Sequence, residues 1–145
     1  MKLSRRECSL MLLPALLRGQ APAESVLGSK FYPFADMPAR ANGANTHWSI
    51  LDGKTHEGMQ VEMHQTQLAA GASPHPPHRH AHEEVFFLSE GTLEVFIAGR
   101  TTTIGPGSAA FVASNEEHGV RNVGKTPARY FVVEMGTRRP APAAK

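Results

Sequence analysis

The chain has 145 residues, a length that allows a single hydrophobic core and excludes two independently folded ones. Its formal net charge of +2 depends on residues 1–23, and the rest of the chain has 11 basic and 12 acidic residues. That balance provides no basic surface for nucleic acid, and no apolar run approaches the ~20 residues that span a bilayer.

Residues 1–23 have the features of an export signal. A basic start precedes an apolar run from Leu10 to Leu17, and Ala21-Pro22-Ala23 is typical of a cleavage site. Ser4-Arg5-Arg6 resembles the core of a twin-arginine signal. We therefore expect a periplasmic protein that is free of the membrane after processing. The alternative is an amphipathic helix packed on the domain of a cytoplasmic protein.

The next segment, residues 24–45, contains proline and glycine without a sustained period, and we interpret it as an extended arm. Residues 46–135 alternate short apolar segments with turn residues, which predicts an all-β sandwich or barrel without a long helix. The expected strands are THWSIL, MQVEMHQTQL, EVFFLSEG, TLEVFIAG, GSAAFVAS, HGVRNV and ARYFVVEM. We expect residues 136–145 to form a disordered tail.

Residues 74–91, PHPPHRHAHEEVFFLSEG, place four histidines and two glutamates directly before an apolar strand. On extended backbone, His78 and His80 project from one face, where ring nitrogens ~2.0–2.1 Å from an ion can bind a metal such as zinc. Glu84 opens the apolar run, and a carboxylate buried there needs a cationic partner. The competing interpretation is a solvated, histidine-rich loop.

A further histidine lies in a later segment, HGVRN. On a strand, His118 shares a face with Val120 and Asn122, so its ring can point into the same interior as the earlier cluster. Cysteine can contribute nothing here, because the only one, Cys8, lies in the expected signal.

The order of these residues resembles the cupin superfamily. Its first motif, G-x5-H-x-H-x3,4-E-x6-G, aligns with one extra residue after the first glycine, on Gly71, His78, His80, Glu84 and Gly91. The spacing to Gly91 selects Glu84 over its neighbour Glu83. The second motif, G-x5-P-x-G-x2-H-x3-N, is matched loosely by Gly99 and Pro106-Gly107. Only His118 and Asn122 keep its spacing.

The resemblance implies a double-stranded β-helix, or jelly-roll barrel, with one divalent metal ion at its centre. In that family iron, manganese, zinc, nickel or copper is held by three histidines and a glutamate, which correspond to His78, His80, His118 and Glu84. The resemblance also implies a homodimer formed through edge strands, and a small-molecule ligand or substrate.

Other polar residues are less clearly placed. His82 is our candidate catalytic residue, as a group beside the metal or the substrate. Either His64 or Gln65 is expected to line the cavity, and His75 to be exposed. His47 and His56 are expected to lie at the surface or to be structural residues with satisfied hydrogen bonds. The expected barrel wall consists of Phe86, Leu88, Val95, Phe111, Val120 and Phe131.

Two functions remain open from the sequence. One is a mononuclear metalloenzyme, dioxygenase-like or an isomerase or hydrolase, acting on a small oxygenated molecule. The other is a binding module that holds a metal or small ligand without turnover. An open path to the metal, with a further polar group directed at it, would favour the enzyme.

Overall fold

The computed structural model describes residues 26–136, which form one antiparallel β architecture. The expected signal at residues 1–23 and the tail after residue 136 lie outside the described residues. The strands are β1 Ala39–Asn42, β2 Asn45–Lys54, β3 Gln60–Leu68, β4 Glu83–Glu90, β5 Leu93–Ile97, β6 Arg100–Ile104, β7 Ala109–Val112, β8 His118–Asn122 and β9 Ala128–Gly136.

These strands form two sheets. The larger has six strands in the order β1-β2-β3-β9-β4-β7, and the smaller has three in the order β6-β5-β8. Strands distant in sequence are neighbours in both sheets, as in a jelly roll. The all-β, jelly-roll prediction is therefore confirmed.

The core lies between the inward faces of the sheets. Strand alternation places Leu68, Leu88 and Tyr130 inside from the large sheet, and Leu93 and Val95 inside from the small one. These apolar residues fill one end of the barrel, and the polar residues further along the same faces surround a cavity. On β3, β4 and β9 the inward face thus changes from apolar to polar along the strand.

Part of the expected wall faces the other way. Phe86, Leu88, Val95 and Val120 are buried as predicted. Phe111 was wrong: its side chain is 55% exposed, because its neighbour Val112 takes the inward position on β7.

Two strands were not expected. β1 lies within the residues interpreted as an arm, and β6, with its run RTTTI, has only one apolar residue. β1 pairs with β2 as an edge strand, and β2 extends beyond the expected THWSIL segment, through Asp52-Gly53, to Lys54. The pairing of β2 with β3 shifts by one residue between Ser49 and Leu51, as at a β-bulge.

The segment before β1 lies along the sheet. Val26 forms an isolated parallel bridge with Lys54, and residues 34–36 form one 3₁₀ turn. Within residues 26–136, no helix is long and apolar enough to cross a membrane.

The motif glycine Gly91 makes the β4–β5 turn possible. Its φ is +86°, a conformation that favours glycine, and an added Cβ would lie 2.6 Å from the Cα of Ala128. A side chain at this position would therefore push β9 away from the turn.

The motif asparagine Asn122 ties the end of β8 to two neighbouring segments. Its buried side-chain nitrogen lies within hydrogen-bonding distance of the carbonyls of Leu68, Ala69 and Thr126, and its oxygen accepts from the Gly124 backbone. Asn122 thus holds the strand that carries His118, and it does not face the cavity as a ligand.

Candidate metal centre

A cavity of about 690 Å³ opens between the two sheets beside the core. Imidazole and carboxylate groups line part of it, and Phe86, Val120 and Val132 provide apolar wall. A pocket of this size, largely apolar with a few convergent polar groups, is typical of a site for a small molecule.

Backbone pairing brings the first histidines to β8. His78 forms an isolated antiparallel bridge with His118, with both N–H···O distances at 3.0 Å. His80 lies two residues further along the same loop, and Glu84 is the second residue of β4, where strand alternation turns it inward. The structure thus brings together the four residues predicted from the motifs.

The side chains meet around Glu84, which is only 6% exposed. One carboxylate oxygen, Oε1, lies 3.1 Å from Nε2 of His80, and the other, Oε2, lies 3.1 Å from Nε2 of His118. The ligand nitrogens of His78, His80 and His118 all lie within 4.8 Å of one another. Ligands at ~2.1 Å from one ion at tetrahedral angles lie about 3.4 Å apart, so these separations fit a shared ion.

Hydrogen bonds to backbone carbonyls fix the ring orientations of His80 and His118. Nδ1 of His80 donates to the carbonyl of His82 at 2.8 Å, and Nδ1 of His118 donates to the carbonyl of Glu116 at 2.9 Å. Carbonyls only accept, so Nδ1 carries the proton in both rings. In the neutral rings, Nε2 of His80 and Nε2 of His118 are then acceptors, and each faces an oxygen of Glu84 that is also an acceptor. Neither Nε2 has a hydrogen-bond donor among residues 26–136. Only a proton or a metal ion between them makes that contact favourable.

The pKa of each key group follows from the same contacts. Burial lowers the pKa of His118, but its hydrogen bonds to Glu84 and to the Glu116 carbonyl raise it above 6.5 overall. Burial raises the pKa of Glu84, and the histidine contacts, His118 first, lower it by more. Without a metal, these shifts favour the ion-paired form, in which His118 is protonated and Glu84 is ionised.

His78 is kept neutral. Burial, followed by the proximity of other imidazoles, lowers its pKa from 6.5 to about 4. A neutral ring is the form that binds a metal, so His78 needs no deprotonation near pH 7.

The candidate catalytic residue His82 also faces the cavity. Its ring stacks on His80 with centroids 3.5 Å apart, and its Nε2 lies 3.2 Å from Oε2 of Glu134 and 3.7 Å from Oε1 of Glu84. His82 also forms a possible ligand group with His80 and Glu84. Its side chain therefore lies between the predicted metal position and a second carboxylate.

The lesser predictions had mixed outcomes. His64 lines the cavity and Gln65 does not, while His56 is exposed. His75 is exposed and touches the edge of the His78 ring, with centroids 4.2 Å apart. Of the two alternatives for His47, the surface position is wrong: the residue is half-buried in the cavity wall beside His64.

Sequence reasoning missed two further cavity residues. Tyr130 is buried beside the site, and burial raises the pKa of its phenol far above the ordinary value. Glu134 faces His82 from β9. The alternation of YFVVE in β9 was the available signal, because it places Tyr130, Val132 and Glu134 on one face.

A family model and several solved structures resemble this chain. The family model described as a cupin domain matches residues 64–134. The structure is similar to an RmlC-like cupin from Shewanella frigidimarina, at 19% identity and TM-score 0.62, over 77% of this chain and 95% of that one. No curated protein sequence matches the chain significantly.

Two further solved structures share the fold. A predicted oxalate decarboxylase from Thermotoga maritima has 15% identity and TM-score 0.64, over 74% of this chain and 100% of that one. The polyketide cyclase RemF from Streptomyces resistomycificus has 24% identity and TM-score 0.64, over 78% of this chain and 83% of that one. At these identities the likeness shows the fold alone.

Proposed function

The chain belongs to the cupin superfamily, and from this premise we propose that it is an exported mononuclear metalloenzyme acting on a small oxygenated molecule. His78, His80, Glu84 and His118 would hold one divalent ion. One observation carries the proposal: two imidazole acceptors face one buried carboxylate at 3.1 Å, from fixed ring orientations.

The donor set restricts the ion. Three nitrogens and one carboxylate, without sulfur, suit iron, manganese, zinc, nickel or copper in the divalent state. Four protein ligands leave positions for exchangeable groups on a metal of higher coordination number. A bound ion supplies Lewis-acid activation of an oxygen atom placed on it.

Catalysis, and not storage alone, is supported by the cavity. It is large enough for a small molecule, and it has polar groups that the ligand set does not use. His82 and Glu134 form a histidine–carboxylate pair at 3.2 Å, in which Glu134 can stabilise a protonated His82 ring. We assign His82 the role of moving a proton to or from the bound molecule.

We also propose that the protein is exported, because residues 1–23 have the features of an export signal. The twin-arginine route carries folded proteins, so a metal can be loaded before export. Amino-terminal sequencing of periplasmic protein tests this directly: a start after Ala23 supports it, and an intact Met1 in the cytoplasm contradicts it.

The enzyme assignment is tested with metal-loaded protein lacking a histidine tag. Oxygen uptake and substrate loss are measured against a panel of enediols and phenols. We expect turnover with at least one compound, and a loss of about 10²–10⁴-fold in His82→Gln with metal content retained. Tight binding of a compound without turnover by the wild-type protein would support a binding module instead.

A further inference from the structure

A second group of potential ligands lies on the large sheet, beside the same cavity as the metal centre. His47 on β2 and Glu62 and His64 on β3 each offer one ligand atom, and these atoms lie within 4.8 Å of one another. All three residues are half-buried. None belongs to the cupin motifs identified in the sequence.

The strand register explains why these residues meet. Glu62 and His64 are two apart on β3 and therefore share a face. His47 is paired with Thr66, the next residue on that face, and its ring centroid lies 4.4 Å from that of His64. In the metal-free protein the side chains of Glu62 and His64 are hydrogen-bonded, with Nδ1 of His64 2.8 and 3.2 Å from the two oxygens of Glu62, so their potential ligand atoms already face each other.

A row of carboxylates provides an independent reason for a cation here. Glu62 is directly opposite Glu134 in the β3–β9 pairing, and Glu134 is directly opposite Glu84 in the β9–β4 pairing. Three carboxylates thus lie side by side on the inward face of one sheet. Like charges directly opposite destabilise a sheet unless positive charge lies between them.

Positive charge is available for the other two. Glu84 lies against His80 and His118 in the metal centre, and Glu134 lies against His82. Glu62 occupies the corresponding position at the end of the row, with His64 beside it and His47 within reach.

The state of His47 suits a ligand better than a counter-ion. Burial, followed by the nearby His64, lowers its pKa, so the ring is neutral near pH 7. Nε2 of His47 lies 3.3 Å from Oγ of Ser49. When this hydroxyl accepts the proton of Nε2, the other ring nitrogen, Nδ1, has a lone pair for a metal ion.

We propose that His47, Glu62 and His64 bind a second divalent cation, of the zinc-like borderline class, in the wall of this cavity. Two imidazoles and one carboxylate are a ligand set that zinc uses where an open position remains. With three ligands in a half-buried setting, this ion is bound more weakly than the one at Glu84. It would hold an anionic oxygen of a molecule that reaches both ions.

Zinc titration followed by equilibrium dialysis and elemental analysis tests the site, using untagged protein. We expect two zinc ions per chain at saturation, with the second at least tenfold weaker. His47→Ala/His64→Ala should lose only the weaker ion, and His78→Ala/His80→Ala only the tighter one. His56→Ala, at an exposed histidine, should keep both.

The outcomes separate the two sites. Saturation of the wild-type protein at one ion per chain, or a second ion that persists in His47→Ala/His64→Ala, overturns this proposal and leaves the metal centre intact. Should that double variant fail to fold, Glu62→Gln takes its place, with circular dichroism as the check of fold. A wild-type protein that binds only the weaker ion, and loses it in His47→Ala/His64→Ala, contradicts the proposed function but not the second site.

Discussion

Nε2 of His118 lies 3.1 Å from Oε2 of Glu84, although the two residues belong to different sheets. This contact joins the second motif to the first and closes the candidate centre. His118→Ala should therefore weaken metal binding by more than the roughly 100-fold that loss of an outer partner costs. Competition with a chromogenic chelator measures the affinity, and His56→Ala is the matched control. Unchanged affinity in His118→Ala would remove this residue from the centre.

Metal binding should compete with the proton on His118. The pKa of His118 is raised above 6.5 in the metal-free protein. At any pH below that raised pKa, an ion must therefore displace the proton from the ring in order to bind. We expect protons to be released on metal binding at pH 6.5, and weaker binding as the pH falls. Titration calorimetry in buffers of different ionisation enthalpy counts the protons. Binding without proton release would mean that the His118 ring is already neutral.

The stability of the metal-free protein should also depend on this pair. The raised pKa of His118 contributes stability that is fully present below 6.5 and is lost as the pH rises through the folded value. The lowered pKa of Glu84 contributes stability that is fully present above 4.5 and is lost as the pH falls through the folded value. The pair should stabilise most between these limits. Denaturant unfolding across pH should show this maximum in wild type and a flatter profile in Glu84→Gln.

Asn122→Ala should destabilise the fold without removing a ligand. It leaves the carbonyls of Leu68, in a buried contact, and Thr126, in a part-buried one, without their donor, and a buried group left unsatisfied costs about 1–3 kcal/mol. We expect a loss of about 3 kcal/mol in the free energy of unfolding. Val123→Ala, at the exposed neighbouring position, should cost little. Equal stability of the two variants would refute the structural role of Asn122.

Two glycines separate backbone strain from steric overlap. Gly91 and Gly99 have similar φ values, +86° and +81°, but only Gly91 faces a neighbour where a Cβ would lie. Gly99→Ala should cost about 1–2 kcal/mol for the left-handed backbone alone. Gly91→Ala should cost about 1–3 kcal/mol more, because β9 must shift. Thermal unfolding of both variants measures the difference, and equal costs would contradict the close approach to Ala128.

The expected homodimer has a candidate surface. Phe87 and Phe111 are 45% and 55% exposed on the outward face of the large sheet, and Phe111 lies on the edge strand β7. If this face joins two copies, Phe87→Asp/Phe111→Asp should give a monomer in light scattering coupled to gel filtration. Phe31→Asp, at an exposed residue outside the sheets, should stay dimeric. A monomeric wild-type protein would refute the dimer itself.

Motif spacing and strand alternation predicted much of this arrangement. The barrel, the inward direction of Glu84 and the convergence of His118 on His78 followed from period-2 patterning and the resemblance. β6 was missed because RTTTI has no apolar alternation: its single apolar residue, Ile104, packs against the core only at the end of the strand. The group of His47, Glu62 and His64 was missed because cross-strand register, which no local pattern encodes, brings β2 and β3 side chains together.

The metal content of the purified mature protein after exhaustive dialysis tests the central claim most directly. Elemental analysis should find about one tightly held divalent ion per chain in wild type and in His56→Ala, and none in His78→Ala/His80→Ala. Full occupancy in that double variant, or a wild-type protein that retains no ion after loading, would contradict the account.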